Sequence, residues 1–543
     1  MAEPYTAEQL ESMSPRQKDE TILMMQERIG ELESEYASLM EQVRILRNRR
    51  YGRSSEKLDV IDGQLSFFDE AEFHADPSAP EPGLEEVLPP KPGRKKEKGQ
   101  RGEDLKDFPQ EHHDYTVPEE ELDAFYGEGN WREMTVEDTK HLHRIPQTFF
   151  VEVSHVHVYV GTGGDHQDEF MRADHPKHLF QNSIATASLL AAILNAKYGN
   201  SMPLERISKQ FSYDGLRLSK QTMSNWVIHA ERKYLRFMYD RLLRELKKYR
   251  VQQCDETPVT VKNDTGPRGG TQGYMWVHRS GEFYRDRPIV LYEYQKSRGY
   301  EIPKAFYRDF DGILVTDSLQ QYHKLQDDPE LRLENANCWA HARRDFADAV
   351  KAAGKISDAA AKQSTAYQAL VRIAGIYKLE ETLRDLSPEQ RLRERKRQIE
   401  PLCDEYFAWV KAQLKDYGVL KKGKTGDGLR YSVNQEKYLR VFLTDGEVPI
   451  DNSASERSIR TFCIGKKNWM MLGSRQGAQA SAVIYSLSET AKLNGLNPYY
   501  YFNHLLTELP KLADGDGNID NSKLDRLLPW AEELPAECHK IRR

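Results

Sequence analysis

Apolar positions near the start of the chain, Ile22, Met25, Ile29, Leu32, Tyr36, Leu39, Val43 and Leu46, recur at alternating spacings of three and four residues. This heptad seam predicts an N-terminal coiled coil and self-association along it. The run ends in a basic cluster, Arg47, Arg49, Arg50 and Arg53. From residue 71 to 107 the periodicity gives way to Pro, Gly and charge, which predicts a flexible linker. Its basic residues Lys91, Arg94, Lys95, Lys96, Lys98 and Arg101 suit DNA phosphates. Val151, Val153, His155, His157 and Tyr159 then alternate with other residues, the pattern of a strand within a small β module at 108–165. The apolar run Ile184 to Leu194 contains Thr186 and Ser188 and is too short to cross a bilayer, so it reads as a buried helix.

Residues 166–247 are helical in pattern, and 202–234 read as helix, turn at Asp214 and Gly215, then a helix capped by Ser219. That is helix-turn-helix spacing. Its second helix presents Lys220, Gln221, Thr222, Ser224 and Asn225, while Met223, Trp226 and Val227 pack inward. Beyond it, RVQQCDETPVTV places Asp255 in the middle of a strand, and GILVTDS is a short apolar strand ending in Asp317. If those strands pair, the two carboxylates become neighbours and repel unless a divalent cation lies between them. Glu256 competes with Asp255 for this position, but adjacent strand residues face opposite sides, so only one of them can enter the site. A third carboxylate, Glu456, follows in PIDNSASERSIRTF, on a helix that Asp451 or Asn452 can cap. The long separation from Asp317 is filled by a helical, charge-rich stretch at 343–445, which reads as an insertion.

A length of 543 residues predicts several domains, and a net charge of −7 means that any DNA contact comes from local basic patches. Five scattered cysteines argue against a disulfide framework, and the N-terminus has no basic start followed by an apolar core; both fit a cytoplasmic protein. His141, His143, His155 and His157 lack cysteine partners at zinc-finger spacing, so no zinc is expected there.

CDETPV at 254–259, GYMWV at 273–277, TDSLQQY at 316–322, CWAHARRDF at 338–346 and VPIDNSASERSIR at 448–460, with GSRQGAQASAVIYSLSETAKLNGLNPYYY, LLPW and YGRSSEKLD, resemble the insertion-sequence family 66 transposases. These belong to the ribonuclease-H-like superfamily with an Asp, Asp, Glu triad. The resemblance implies an α/β multidomain chain: coiled coil at 1–60, linker at 61–107, β module at 108–165 without the cysteines relatives carry, and a helix-turn-helix region at 166–247. A catalytic core at 248–342 and 446–500 would be split by the insertion at 343–445 and followed by a C-terminal segment at 501–543. It further implies that Asp255, Asp317 and Glu456 are catalytic and hold two Mg²⁺ ions about 3.5–4 Å apart, with Mn²⁺ able to substitute. The activity implied is cleavage at the element's terminal inverted repeats and strand transfer into target DNA, with accessory proteins of the same element as possible partners. The alternatives are a structure-specific nuclease on the same fold and an inactive DNA-binding protein.

Around Glu456, Arg457, Arg460, Lys466, Lys467 and Arg475 with Trp469 suit phosphate contacts and base stacking. Cys338 and His341 have metal-ligand spacing but lack two further ligands; the family places the pair beside the active site, in a structural or DNA-positioning role. GVLKKGKT at 418–425 matches a nucleotide phosphate-binding loop by letters. It follows a helical run and precedes Gly426 and Gly428, so a helix C-cap at Gly418 and a basic loop are expected, with no ATP requirement.

Overall fold

A computed structural model describes residues 13–26, 148–160, 170–172, 178–264, 271–353, 364–416 and 422–540, with isolated positions between 28 and 40 and between 120 and 128. Every described position from 15 to 40 is helical, and Ile22, Met25, Ile29, Leu32 and Tyr36 are each about half exposed or more. The rest of the heptad seam, the linker with its basic run, and His141 and His143 lie outside the described residues.

In the unit spanning Phe68 to Asp174, β1 (Val158–Val160) pairs antiparallel with β2 (Phe170–Arg172). The alternation starting at Val151 becomes a strand only over these three residues, because only there does a second strand supply ladder hydrogen bonds. That second strand lies past residue 165, in sequence that reads as helical.

The unit from His175 to Lys540 begins with α1 (Ala187–Leu194), where Thr186 is the N-cap and accepts from the Leu189 amide. Its chain continues as a π turn to Gly199. Then come α2 (Leu204–Tyr213), a turn in which Gly215 takes φ +88°, and α3 (Lys220–Ala230), capped by Ser219 accepting from the Thr222 amide. Met223, Trp226 and Val227 are buried, as the spacing predicts. After α4 (Arg236–Leu246) the chain enters a five-stranded sheet of β3 (Val251–Thr260), β4 (Gln272–Ser280), β5 (Val290–Gln295), β6 (Asp311–Thr316) and β7 (Arg332–Asn337), in the order β5-β4-β3-β6-β7. The first three strands are antiparallel, whereas β6 and β7 run parallel to β3.

β3 pairs with β6 only over Val251–Gln253, then continues beside β4 alone. The sheet thus opens beyond Gln253 on one side of β3. Pro258 sits within that free stretch, where its missing N–H breaks no ladder, and its carbonyl accepts from Lys466 Nζ at 2.7 Å. One sheet face carries Cys254, Trp276, Leu314 and Leu333 against α5 (Glu301–Phe306) and α6 (Gln320–Gln326). The alternate residues face the other way: Val251, Ile313 and Val315 meet α7 (Trp339–Ala353), while Val259, Val277 and Tyr292 join a core that includes later helices.

Four helices follow: α8 (Thr365–Thr382), α9 (Pro388–Glu394), α10 (Glu400–Lys415) and α11 (Gly423–Leu439). Gly426 and Gly428 lie inside α11 instead of breaking it, which corrects one expectation from the phosphate-loop motif. The reason is close packing: a Cβ on Gly428 would come within 2.8 Å of the Phe346 ring on α7. The element before the motif is the helix α10 and not the strand that a phosphate-binding loop requires, and Lys424 is paired with Asp345; Gly418, the expected C-cap, lies outside the described residues.

Two buried arginines tie these helices to the chain that follows. Arg391 donates to the Gly446 carbonyl, and Arg395, fully buried, donates to the carbonyls of Phe442 and Asp445 at 2.7 and 2.8 Å while paired with Glu380. A Cβ on Gly446 would overlap the Pro388 carbonyl, so only glycine admits this approach. The chain then forms α12 (Ser453–Trp469), α13 (Arg475–Leu493) and α14 (Pro498–Leu512). α13 lies against β5, with Ser486 Oγ accepting from the Tyr292 amide and Thr490 bonded to Val290. α14 shares a core with α1.

Candidate active site

Asp255 lies two residues past the last β3–β6 pair, Gln253 with Val315, and Asp317 lies two past its partner. Both share parity with Val251, Ile313 and Val315, so both carboxylates turn toward the sheet face that α12 lies on, Asp255 in the middle of β3 and Asp317 just past the end of β6, beside the point where strand order reverses. Asp317 Oδ1 accepts from the Leu319 amide, which fixes the turn leaving β6.

The start of α12 is bolted to β3. Asn452 donates from its side chain to the Cys254 carbonyl at 2.8 Å and accepts from Gln253 at 3.2 Å, so it does not cap the helix. Asp451 accepts from the Ser453 amide instead and also receives the Tyr377 hydroxyl. Arg279 on β4 donates to the Ala454 carbonyl, and Tyr292 on β5 to that of Ser458. One turn in, Glu456 faces the strand carboxylates, with His341 Nδ1 and Arg344 Nη2 each 3.8 Å from its Oε1.

The electrostatics follow from that convergence. Burial, then the charges of Glu256, Asp317 and Glu456, hold the Asp255 carboxyl well above the usual range. Burial likewise raises Asp317 and Glu456, with Arg298 and Arg344 respectively opposing it. Glu256 points to the opposite face, where it accepts from Tyr322 at 2.6 Å, and burial lifts it to about 7. Burial pushes His341 down to about 4, so the imidazole is neutral beside Glu456. Burial penalises the charge of all three carboxylates, and Asp255 also feels the charges of Asp317 and Glu456, although among the described residues the donor atoms that lie within 4.8 Å of one another are those of Cys338, His341 and Glu456. Carboxylate oxygens are the donors that a hard divalent cation takes.

The expected DNA-contacting side chains divide by environment. Gln221 and Asn225 are exposed on α3, Thr222 is half-buried beside Ser219, and Lys220 is exposed but paired with Glu205 at 3.0 Å. On α12, Arg457 is exposed and pairs with Glu282, Lys466 reaches the Pro258 carbonyl, Arg460 is half-buried and Lys467 exposed. Arg475 is exposed at the start of α13. Trp469 packs edge-on against Phe462 with Lys197 over its ring, so it serves the core more than a base. Tyr322, Arg298 and Arg344 were not singled out from sequence; Tyr322 and Arg344 lie in the TDSLQQY and CWAHARRDF segments that could have revealed them.

Comparison with known families decides the membership. Residues 182–480 match the profile described as the transposase IS66 family. The chain belongs to that family. Residues 486–530 match the IS66 C-terminal element, and residues 38–112 a homeodomain described for transposase C of IS166. Among curated relatives, the uncharacterized protein y4qI of Sinorhizobium fredii is 28% identical over 396 residues, 71% of this chain and 69% of that protein. Uncharacterized y4jD of the same organism is 28% identical over 375 residues, 66% and 68% of the two chains. This IS66 family member is thus a transposase of an insertion sequence with a DNA-binding, homeodomain-like region. No helix among its described residues is long and apolar enough to cross a membrane.

Proposed function

We propose that this transposase cleaves DNA at the ends of its element and joins them to a target, using Asp255, Asp317 and Glu456 on a ribonuclease-H-like core interrupted by the helices at 343–445. The observation that carries the reading is the convergence of three carboxylates from β3, the end of β6 and the first turns of α12, each held above its ordinary pKa. Divalent cations bound there, Mg²⁺ or Mn²⁺, would activate the attacking oxygen and stabilise the leaving oxygen of an in-line displacement. Asp255 supplies charge from a rigid strand, and Asp317 from a turn fixed by the Leu319 amide. Glu456 is positioned through Asn452, Arg279 and Tyr292, which hold α12 to the sheet.

The pair α2–α3 supplies a helix-turn-helix in which Gln221 and Asn225 reach base edges and Lys220 adds phosphate contact after leaving Glu205. Arg457, Arg460, Lys466, Lys467 and Arg475 extend the cationic surface beside the carboxylates. The exposed seam Ile22, Met25, Ile29, Leu32, Tyr36 pairs two copies, so that two element ends are held together.

The test is strand cleavage and joining on labelled DNA carrying the element ends, with Mg²⁺ or Mn²⁺ and with accessory proteins of the element added. Products that vanish in Asp255→Asn, Asp317→Asn and Glu456→Gln support the reading. Binding without cutting in the wild type favours a DNA-binding protein, and cutting of branched DNA without joining favours a nuclease.

A further inference from the structure

Cys338, His341 and Glu456 come together beside the carboxylate cleft. One donor atom from each, Sγ, a ring nitrogen and a carboxylate oxygen, lies within 4.8 Å of the others. Donors around one tetrahedral Zn²⁺ stand roughly 3.3–3.8 Å apart, given bonds of about 2.0–2.3 Å. The His341 Nδ1 to Glu456 Oε1 separation is already 3.8 Å, so small side-chain rotations close the set. His341 Nδ1 is buried with no hydrogen-bond partner, which leaves a lone pair or an N–H unsatisfied facing Glu456. The Cys338 sulfur is fully buried and accepts the Asn452 amide at 3.1 Å, while the His341 amide donates to the Cys338 carbonyl and so holds the two residues in one turn. The Cys-x-x-His spacing across the β7–α7 junction lacks further ligands in sequence, and α12 brings one of them from 115 residues away in the chain.

We propose that Cys338, His341 and Glu456 form a binding site for a soft divalent cation, Zn²⁺ or Cd²⁺, distinct in donor chemistry from the all-carboxylate site and sharing only Glu456 with it. Thiolate and imidazole donors select such ions over Mg²⁺, which takes oxygen. Binding releases the Cys338 thiol proton to solvent and leaves one position of a tetrahedral ion open. Because Glu456 belongs to both donor sets, the soft ion competes with the charge arrangement proposed for cleavage and acts as a brake on it. The site itself does not rest on the cleavage reading, since its ligation is measured without DNA.

The experiment is titration of the full chain with Cd²⁺ in excess Mg²⁺, followed by the ultraviolet thiolate-to-cadmium charge-transfer band. A band saturating at a single equivalent, absent in Cys338→Ser and retained in Cys463→Ser, is expected. His341→Gln and Glu456→Gln should each weaken Cd²⁺ binding roughly tenfold or more. Melting curves of the cadmium-free variants confirm folding, and the partly exposed His341 provides the test if Cys338→Ser does not fold. The proposal is overturned if the wild type shows no band, if the band survives in Cys338→Ser or is lost in Cys463→Ser, or if either His341→Gln or Glu456→Gln binds as tightly as the wild type.

Discussion

Replacing Arg395 by Met tests whether the helices at 364–439 hold the candidate active site in register. The guanidinium is fully buried, paired with a buried Glu380, and donates to the carbonyls of Phe442 and Asp445 just ahead of α12. Removing one member of such a pair leaves an uncompensated buried charge, at a cost of about 3–5 kcal/mol. With an unfolding entropy near 2.1 cal/mol/K per residue over a cooperative unit of roughly 370 residues, that becomes a melting point lower by about 4–6 °C. The freed carbonyls also let 442–450 shift, and a displacement on the order of 1 Å at Glu456 should lower cleavage about a hundredfold at temperatures where the protein is still folded. Adding Glu380→Leu removes the stranded carboxylate and should restore about half of the lost stability, the remainder reflecting the two orphaned carbonyls. Melting curves and single-turnover cleavage measure both effects. A single variant melting within about 1 °C of wild type, or a double variant less stable than the single one, would refute the argument.

Saturating Mg²⁺ should raise the melting point of the wild type, by the equivalent of about 2.7 kcal/mol at a hundredfold excess over Kd, and leave Asp255→Asn unmoved; equal shifts in both would place the ion elsewhere. Asn225→Ala should weaken binding to the element ends by about 1–3 kcal/mol while leaving binding to unrelated DNA unchanged, measured by competition at fixed salt. Lys197 is half-buried against the Tyr198 and Trp469 rings, and burial holds its ammonium down to about 8. Between that value and its unfolded pKa the folded state binds fewer protons, so stability rises with pH across the window, by up to about 3 kcal/mol. Lys197→Met should lack this rise; parallel melting profiles from pH 7 to 10 for the two proteins would exclude it.

The placement of Asp255 within a strand and of Asp317 at the end of one was legible because strand parity and a short apolar run ending in a carboxylate are local patterns; the pairing of β3 with β6, on which their proximity depends, was left open by the sequence and is a long-range contact seen in the fold. Ser219 and the α2–α3 turn were legible for the same reason. Glu456 could be found through the motif it sits in, but not the contacts that hold its helix, since Asn452, Ala454 and Ser458 meet Gln253, Arg279 and Tyr292 across separations of 199, 175 and 166 positions. Asn452 occupies the N-cap position expected of it, yet its side chain is drawn to the β3 backbone, a tertiary bond that outcompetes local capping. The run through Gly426 and Gly428 reads as helix-breaking, whereas packing against Phe346 favours glycine there. Lys220 reads as an open phosphate contact, and its partner Glu205 is visible only once α2 and α3 are folded together.

The core that joins α1 to α14 bears on how the protein is made. Leu190, Ile193 and Leu194 share their apolar cluster with Tyr501, Phe502 and Leu505, so the helices leading to α3 have no complete hydrophobic partner until the last tenth of the chain has left the ribosome. Glu456 emerges only shortly before. A product terminated before residue 498 therefore lacks the apolar partner of α1, even when it already includes Glu456. This part of the core is completed late in translation.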